Sequence, residues 1–166
     1  HMLVRVYVKE GMLLPMNYHF TTTRALIEKA GGKVVELVRE EGLEAESDCP
    51  FKGNLDTAKL EQLIEKEGSE RIGFVRIEAG TNLIGGQPVS LENMQATAKI
   101  CKKHGIRYIL DASLLADNLH FMKTREEQCR KMSIEKIIKE ISKLFDVIYF
   151  SARKLTCARG GGMCFD

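Results

Sequence analysis

Two apolar runs, RIGFVRIEA over 71–79 and IRYIL over 106–110, flank a polar loop and one amphipathic stretch, and that order constrains the fold most. Each run is short and rich in β-branched or aromatic residues, as strands are. Between them Leu91, Met94, Ala98 and Cys101 recur at i, i+3, i+7 and i+10, which puts them on one helix face. Ser90 is a good N-cap for that helix, and His104-Gly105 closes it with a cation-capable side chain and a glycine. A strand, a helix and a strand with a tight return imply parallel neighbours joined by a right-handed crossover. The chain therefore reads as α/β, a mostly parallel sheet flanked by helices.

The rest of the chain is consistent with that reading. Residues 3–8 alternate enough to be a strand, broken over 11–15 by glycine and proline. An extended, aromatic-rich piece over 17–24 runs into three threonines, of which Thr22 or Thr23 could cap a helix over 24–30, and Gly31-Gly32 ends it. Residues 33–38 read as a strand and 39–49 as a loop or ragged helix. Asp56 caps a helix whose Leu60, Leu63 and Ile64 share a face. Two helices follow over 118–132 and 133–144, and the last strand, 147–150, is expected to be buried.

With 166 residues, 44% hydrophobic and 29% charged, the chain is long enough for one domain with a real core. A net charge of +2 makes no electrostatic case for nucleic acid or an anionic membrane as partner. No apolar run approaches the roughly 20 residues that span a bilayer, and a cytoplasmic location is expected. Five cysteines lack metal-ligand spacing, so no metal site is expected and reduced, packed thiols are.

Ligands of parallel α/β sheets collect beyond the carboxyl ends of the strands. There the chain places Asn82, Asp111, and the group Ser151, Arg153 and Lys154. Taken singly these are ordinary: an aspartate after a strand is commonly a turn former or helix cap, and a lysine there is commonly solvated. Together, an amine and a carboxylate on neighbouring strand ends match the needs of pyridoxal phosphate. Burial disfavours a charged ammonium, so a lysine held at the mouth of a buried strand can serve as a Schiff-base nucleophile.

Five separated blocks then carry a resemblance: FTTTR, FKGNLD, GGQPVS, DAS followed by DN and FMK, and SARK before a glycine run. In that order the sequence resembles the β-eliminating lyases, the tryptophanase and tyrosine phenol-lyase family of pyridoxal-phosphate enzymes with the aspartate aminotransferase fold (fold type I). The resemblance implies that Lys154 is the Schiff-base lysine and that Asp111 is the carboxylate partner of the pyridine nitrogen. It implies that Asn82 donates to the ring oxygen, that Phe20 stacks on the ring, and that Ser151 and Arg153 contact the phosphate. Thr21 is implied in substrate binding, where phenol-lyases carry threonine and tryptophanases aspartate. The implied reaction is β-elimination, tyrosine to phenol or tryptophan to indole, with pyruvate and ammonia as the other products.

The same resemblance implies a homo-oligomer, dimer or tetramer, and a monovalent cation such as K+. Two positions depart from it: Leu114 stands where the family has arginine, and Leu155 where it has an acidic residue. The resemblance implies that residues 1–166 are a single truncated core of the cofactor-binding large domain, 1–15 an N-terminal strand and turn and 16–166 the family-like region, with activity expected to be impaired or incomplete. Alternative readings are half of a split lyase that needs a partner chain, or a non-catalytic relic acting as a binding or assembly module.

Overall fold

Apolar side chains on alternate faces of short strands require cover on both sides, and the chain supplies it with helices. The computed structural model describes residues 2–155 and 159. In chain order it forms α1 (Met2–Tyr7), β1 (Leu13–Met16), α2 (Thr21–Lys29), β2 (Lys33–Glu36), α3 (Thr57–Glu67), β3 (Val75–Glu78) and α4 (Leu91–Lys103). β4 (Tyr108–Asp111), α5 (Leu115–Arg125), α6 (Glu127–Arg130), α7 (Ile134–Ser142), β5 (Val147–Tyr149) and α8 (Ala152–Leu155) follow. The five strands form one parallel sheet in the order β2-β1-β3-β4-β5. No helix among the described residues is long and apolar enough to cross a membrane.

Strand pleating sorts the core into two layers. Leu14, Met16, Phe74 and Ile109 face α1 and α2, packing with Val4, Val8 and Ile27. Leu13, Val75, Ile77, Tyr108 and Leu110 face the other way, against residues of α3, α4, α5 and α7. Local capping agrees with the sequence at two helices, where Asp56 and Ser90 accept from the backbone N–H groups of Lys59 and Asn93, and Ser133 caps α7 in the same way through Lys136 N–H.

Several expectations are corrected. Residues 3–8 and the N-terminal strand proposed within 1–15 are helical, because Val4 and Val8 satisfy i, i+4 spacing and both bury against the sheet. Pro15, read as a breaker, lies inside β1. It has no N–H to give, and it faces β3, where Gly73 N–H donates to Leu13 O and Asn17 N–H to Arg76 O. β1 accordingly pairs with β2 along its whole length but bridges β3 only at Met16 and Arg76.

The helix expected over 24–30 starts earlier, at Thr21, with Phe20 at the N-cap and no side-chain cap, so neither Thr22 nor Thr23 caps it. The helix expected over 118–132 is interrupted at Glu126, whose backbone is extended at φ −101 and ψ 120. The interruption frees the Glu126 carboxylate to accept from Leu91 N and Glu92 N at 2.7 and 2.9 Å, at the amino end of α4. The last strand is not buried. β5 is an edge strand whose Val147 and Tyr149 pack inward, while Ile148 and Phe150 are 42% and 41% exposed. Cys101 and Cys129 are buried free thiols, Cys49 is half-buried, and Cys157, Cys164 and the glycine run 160–162 lie outside the described residues.

Candidate active site

The chain runs from β1 to β2 in one direction and then returns across β1 to β3, so the strand order reverses between β1 and β3. In doubly wound sheets the crevice beyond the carboxyl ends at such a reversal is where ligands bind. Here it is bordered by residues 17–20 after β1 and 79–82 after β3, with Asp111 on the next strand end.

The charged residues at this end form a buried cluster. Alternation within β3 puts Arg76 and Glu78 on one face, and register sets Glu78 beside Asp111 and Asp111 beside Tyr149. Arg76, 1% exposed, donates from Nη2 to Asp111 Oδ2 at 2.6 Å and to Glu78 Oε2 at 3.1 Å. Its Nε donates to the Tyr149 hydroxyl at 2.8 Å and its Nη1 to the Tyr18 carbonyl at 3.3 Å. Burial alone would raise the Asp111 carboxyl, but the Arg76 guanidinium and the Ser113 hydrogen bonds outweigh it and hold Asp111 below its ordinary value. Glu78 goes the other way: burial pushes it up, Arg76 opposes that, and the Asp111 charge adds to the rise. Burial also raises the Tyr149 phenol.

Asp111 is further tied to β5. Its Oδ1 accepts from Ser113 N at 3.0 Å and from the Ser113 hydroxyl, whose oxygen accepts from Ser151 N at 2.9 Å. The backbone N–H of Lys154 in turn donates to Ser151 O at 3.0 Å. The turn bearing Lys154 is thus linked to Asp111 through short hydrogen bonds and one stretch of backbone.

The other predicted residues sit around this frame. Phe20 is half-buried at the start of α2, and the Lys154 Nζ lies 5.1 Å from its ring centroid, within cation–π range. Lys154 is exposed rather than buried, a correction that follows from β5 being an edge strand. Arg153 and Thr21 are exposed, and Ser151 is half-buried. Asn82 is half-buried, and its N–H donates to Glu78 Oε1 at 3.2 Å, which connects it to the charged cluster. Leu114, at the N-cap of α5, offers no charge, and among the described residues Arg76 is the cation paired with Asp111. His19 pairs with Glu36 on β2.

Sequence reasoning missed Arg76, Glu78, Ser113 and Tyr149. The available signal was a charged pair at i and i+2 inside an apolar strand, V-R-I-E, which places two opposite charges side by side on a face that must be covered. A broad open groove lies at the opposite end of the sheet, lined by Tyr7, Gly73, Lys102, Arg107 and Asp146, and no predicted site residue borders it.

A parallel sheet flanked by helices is shared with solved structures of the aspartate aminotransferase class. A Leishmania major threonine aldolase superposes with TM-score 0.59 at 22% identity, covering 92% of this chain and 40% of that one. A Rhodobacter sphaeroides aspartate aminotransferase superposes at 0.54 and 18% identity, covering 68% and 26%. The fold is therefore that of the fold type I enzymes.

The narrower assignment comes from sequence. The chain belongs to the beta-eliminating lyase family, whose model matches residues 4–166. It is 40% identical to a tyrosine phenol-lyase of Clostridium tetani over 162 residues, 98% of this chain and 35% of that protein. It is 41% identical to a tryptophanase of Hyphomonas neptunium over 162 residues, 98% and 36%. The chain spans about a third of the length of these curated relatives.

Proposed function

We propose that this chain builds the ring-binding side of a pyridoxal-phosphate site serving β-elimination on an aromatic amino acid, tyrosine to phenol, pyruvate and ammonia, with tryptophan as the alternative substrate. The observation that carries the reading is the hydrogen-bonded path from Asp111 through Ser113 to Ser151, which ties a buried, ionised carboxylate to the turn that bears the amine. The donor set fits the cofactor: a protonated ring nitrogen needs an ionised carboxylate in a protected place, and Asp111 is 7% exposed. The aldehyde needs an amine near a ring-stacking surface, and Lys154 lies over Phe20.

In this reading Asp111 holds the proton at the ring nitrogen and Asn82 donates to the ring oxygen. Phe20 covers one ring face, and Ser151 and Arg153 meet the phosphate. Lys154 would hold the aldehyde group through Nζ and, with its amine free, would be the base placed to take the α-proton of a bound amino acid. When bound, pyridoxal phosphate supplies the electron sink for the charge left at Cα. Thr21, at the exposed start of α2, is available to the aromatic end of the substrate, and its identity favours tyrosine. Self-association belongs to the same reading, because among the described residues β5 is the outermost strand and Ile148 and Phe150 beside it are exposed.

Adding pyridoxal phosphate to the purified chain should produce a visible absorbance band that is absent in Lys154→Ala. Pyruvate release is then assayed from tyrosine and tryptophan, with the chain alone and after mixing with a complementing lyase chain, with and without K+. Pyruvate only in the mixture identifies a complementing half, and a band without pyruvate identifies a binding module. A wild-type chain that forms no band overturns the proposal.

A further inference from the structure

Buried charges that only hold a fold together commonly come as balanced pairs, since an unpaired one is costly. The cluster at the ends of β3 and β4 is not balanced. It contains one guanidinium, Arg76, and two carboxyls, Glu78 and Asp111, which are 1%, 2% and 7% exposed. With both carboxyls ionised it has one negative charge in excess.

Among the described residues no second cation pairs with Glu78 or Asp111. β1 contributes the Met16 sulfur, 4.0 Å from Arg76 Nη1, and the segment after β1 contributes the Tyr18 carbonyl. β5 contributes the Tyr149 phenol and the loop after β3 the Asn82 N–H. The nearby cations and acids are otherwise engaged, Lys154 over Phe20 and His19 with Glu36.

We propose that Arg76, Glu78 and Asp111 act as one receptor for a protonated heteroaromatic nitrogen, the N–H of a pyridinium ring, whose single positive charge completes the cluster. Asp111 is the group that touches the ring, and Arg76 and Glu78 are positioning residues. The assignment rests on the reading of Asp111 given above and goes beyond it in dividing the work among three residues.

Arg76 keeps the Asp111 carboxyl ionised against burial and fixes one of its oxygens, while Ser113 fixes the other. A guanidinium alone would also neutralise Asp111 and repel a second cation. Glu78, on the same strand and two residues away, offsets that charge, so the ring nitrogen meets a site that still attracts it. The guanidinium fork is occupied by Asp111 and Glu78 at Nη2, Tyr149 at Nε, and Tyr18 with the Met16 sulfur at Nη1, so the geometry is set before any ligand arrives.

The test uses the full chain and pyridoxine 5′-phosphate, which has the ring nitrogen but no aldehyde and so cannot bond to Lys154. Nitrogen-15 labelling of the probe reports ring protonation directly by NMR. On the wild-type chain the bound nitrogen should remain a pyridinium to higher pH than in free solution, and a neutral bound ring overturns the proposal without any substitution. Glu78→Gln should weaken the probe about tenfold and lower the pH at which the bound ring loses its proton, as expected for removing one nearby charge. Glu78→Asp should restore most of both.

A Glu78→Gln chain that folds and holds the probe with wild-type affinity and ring titration overturns the cluster while leaving Asp111 as ring partner. Absence of a visible band with pyridoxal phosphate, alongside Glu78-dependent binding of the probe, would instead remove the lyase reading and leave the receptor standing.

Discussion

Two buried polar regions lie within one domain and are built on different principles. In one, Asn54, Asn93 and Asn118 are neutral amides that satisfy backbone groups distant in sequence. Asn118 alone accepts from Gly80 N and Val89 N and donates to Val89 O. Asn93 does the same for both backbone groups of Leu55, and Asn54 accepts from Ser90 N. At the strand ends, one guanidinium, Arg76, is instead shared by two carboxyls, Glu78 and Asp111. The first region leaves little bonding capacity for a ligand, whereas the second gathers ionisable groups where a ligand can meet them.

The contrast can be broken most sharply at Arg76. Arg76→Met leaves two buried carboxyls uncompensated, and urea unfolding should show a loss of about 3–5 kcal/mol at neutral pH. Asn118→Ala should come next, at roughly 1–3 kcal/mol, and the loss should be independent of pH.

Asp111→Asn separates the two regions by pH. The folded-state value of Asp111 lies below the ordinary carboxylate value, so its ionisation stabilises the native state above that range, and the benefit disappears as pH falls through the folded value. The wild-type advantage over Asp111→Asn should therefore shrink on acidification. Glu78 has the opposite sign: its raised carboxyl opposes stability as pH rises, so Glu78→Gln should cost less than Asp111→Asn at neutral pH.

Ser90→Ala, which removes the α4 cap, should cost about 1 kcal/mol in the same unfolding assay. Outside both regions, Glu135→Ala breaks an exposed i, i+4 pair with Lys139 and should change stability by less than about 0.5 kcal/mol.

The parallel sheet was legible because continuous apolar runs, helix caps and the βαβ order are local signals. What the sequence hid was set by contacts at long range. Val4 and Val8 fit a strand as well as a helix, and only the sheet face they cover decides between the two. Glu126 stops a helix because the amino end of α4, 35 residues earlier, takes its carboxylate. The apolar run 147–150 carried no mark of being at an edge.

For the candidate site, Asp111, Asn82, Phe20 and the 151–154 turn were singled out by strand ends and short blocks. Arg76, Glu78, Ser113 and Tyr149 were not, since each gains its role only through register with another strand. The blocks FKGNLD and GGQPVS proved to hold mainly staples: Asn54 ties the first to Ser90 of the second.

Pro15 has a mechanical consequence. The missing rung loosens the seam between a two-strand plate, β2 and β1, and a three-strand plate, which stay joined on either side of it at Leu13 with Ile72 and at Met16 with Arg76. A ligand pressing on Phe20 would push the smaller plate, and the Tyr18 carbonyl with it, while β3, β4 and β5 stay zipped. The guanidinium stands at that seam, so a tilt of one plate against the other would reach the carboxylates as a change in how tightly Arg76 is gripped.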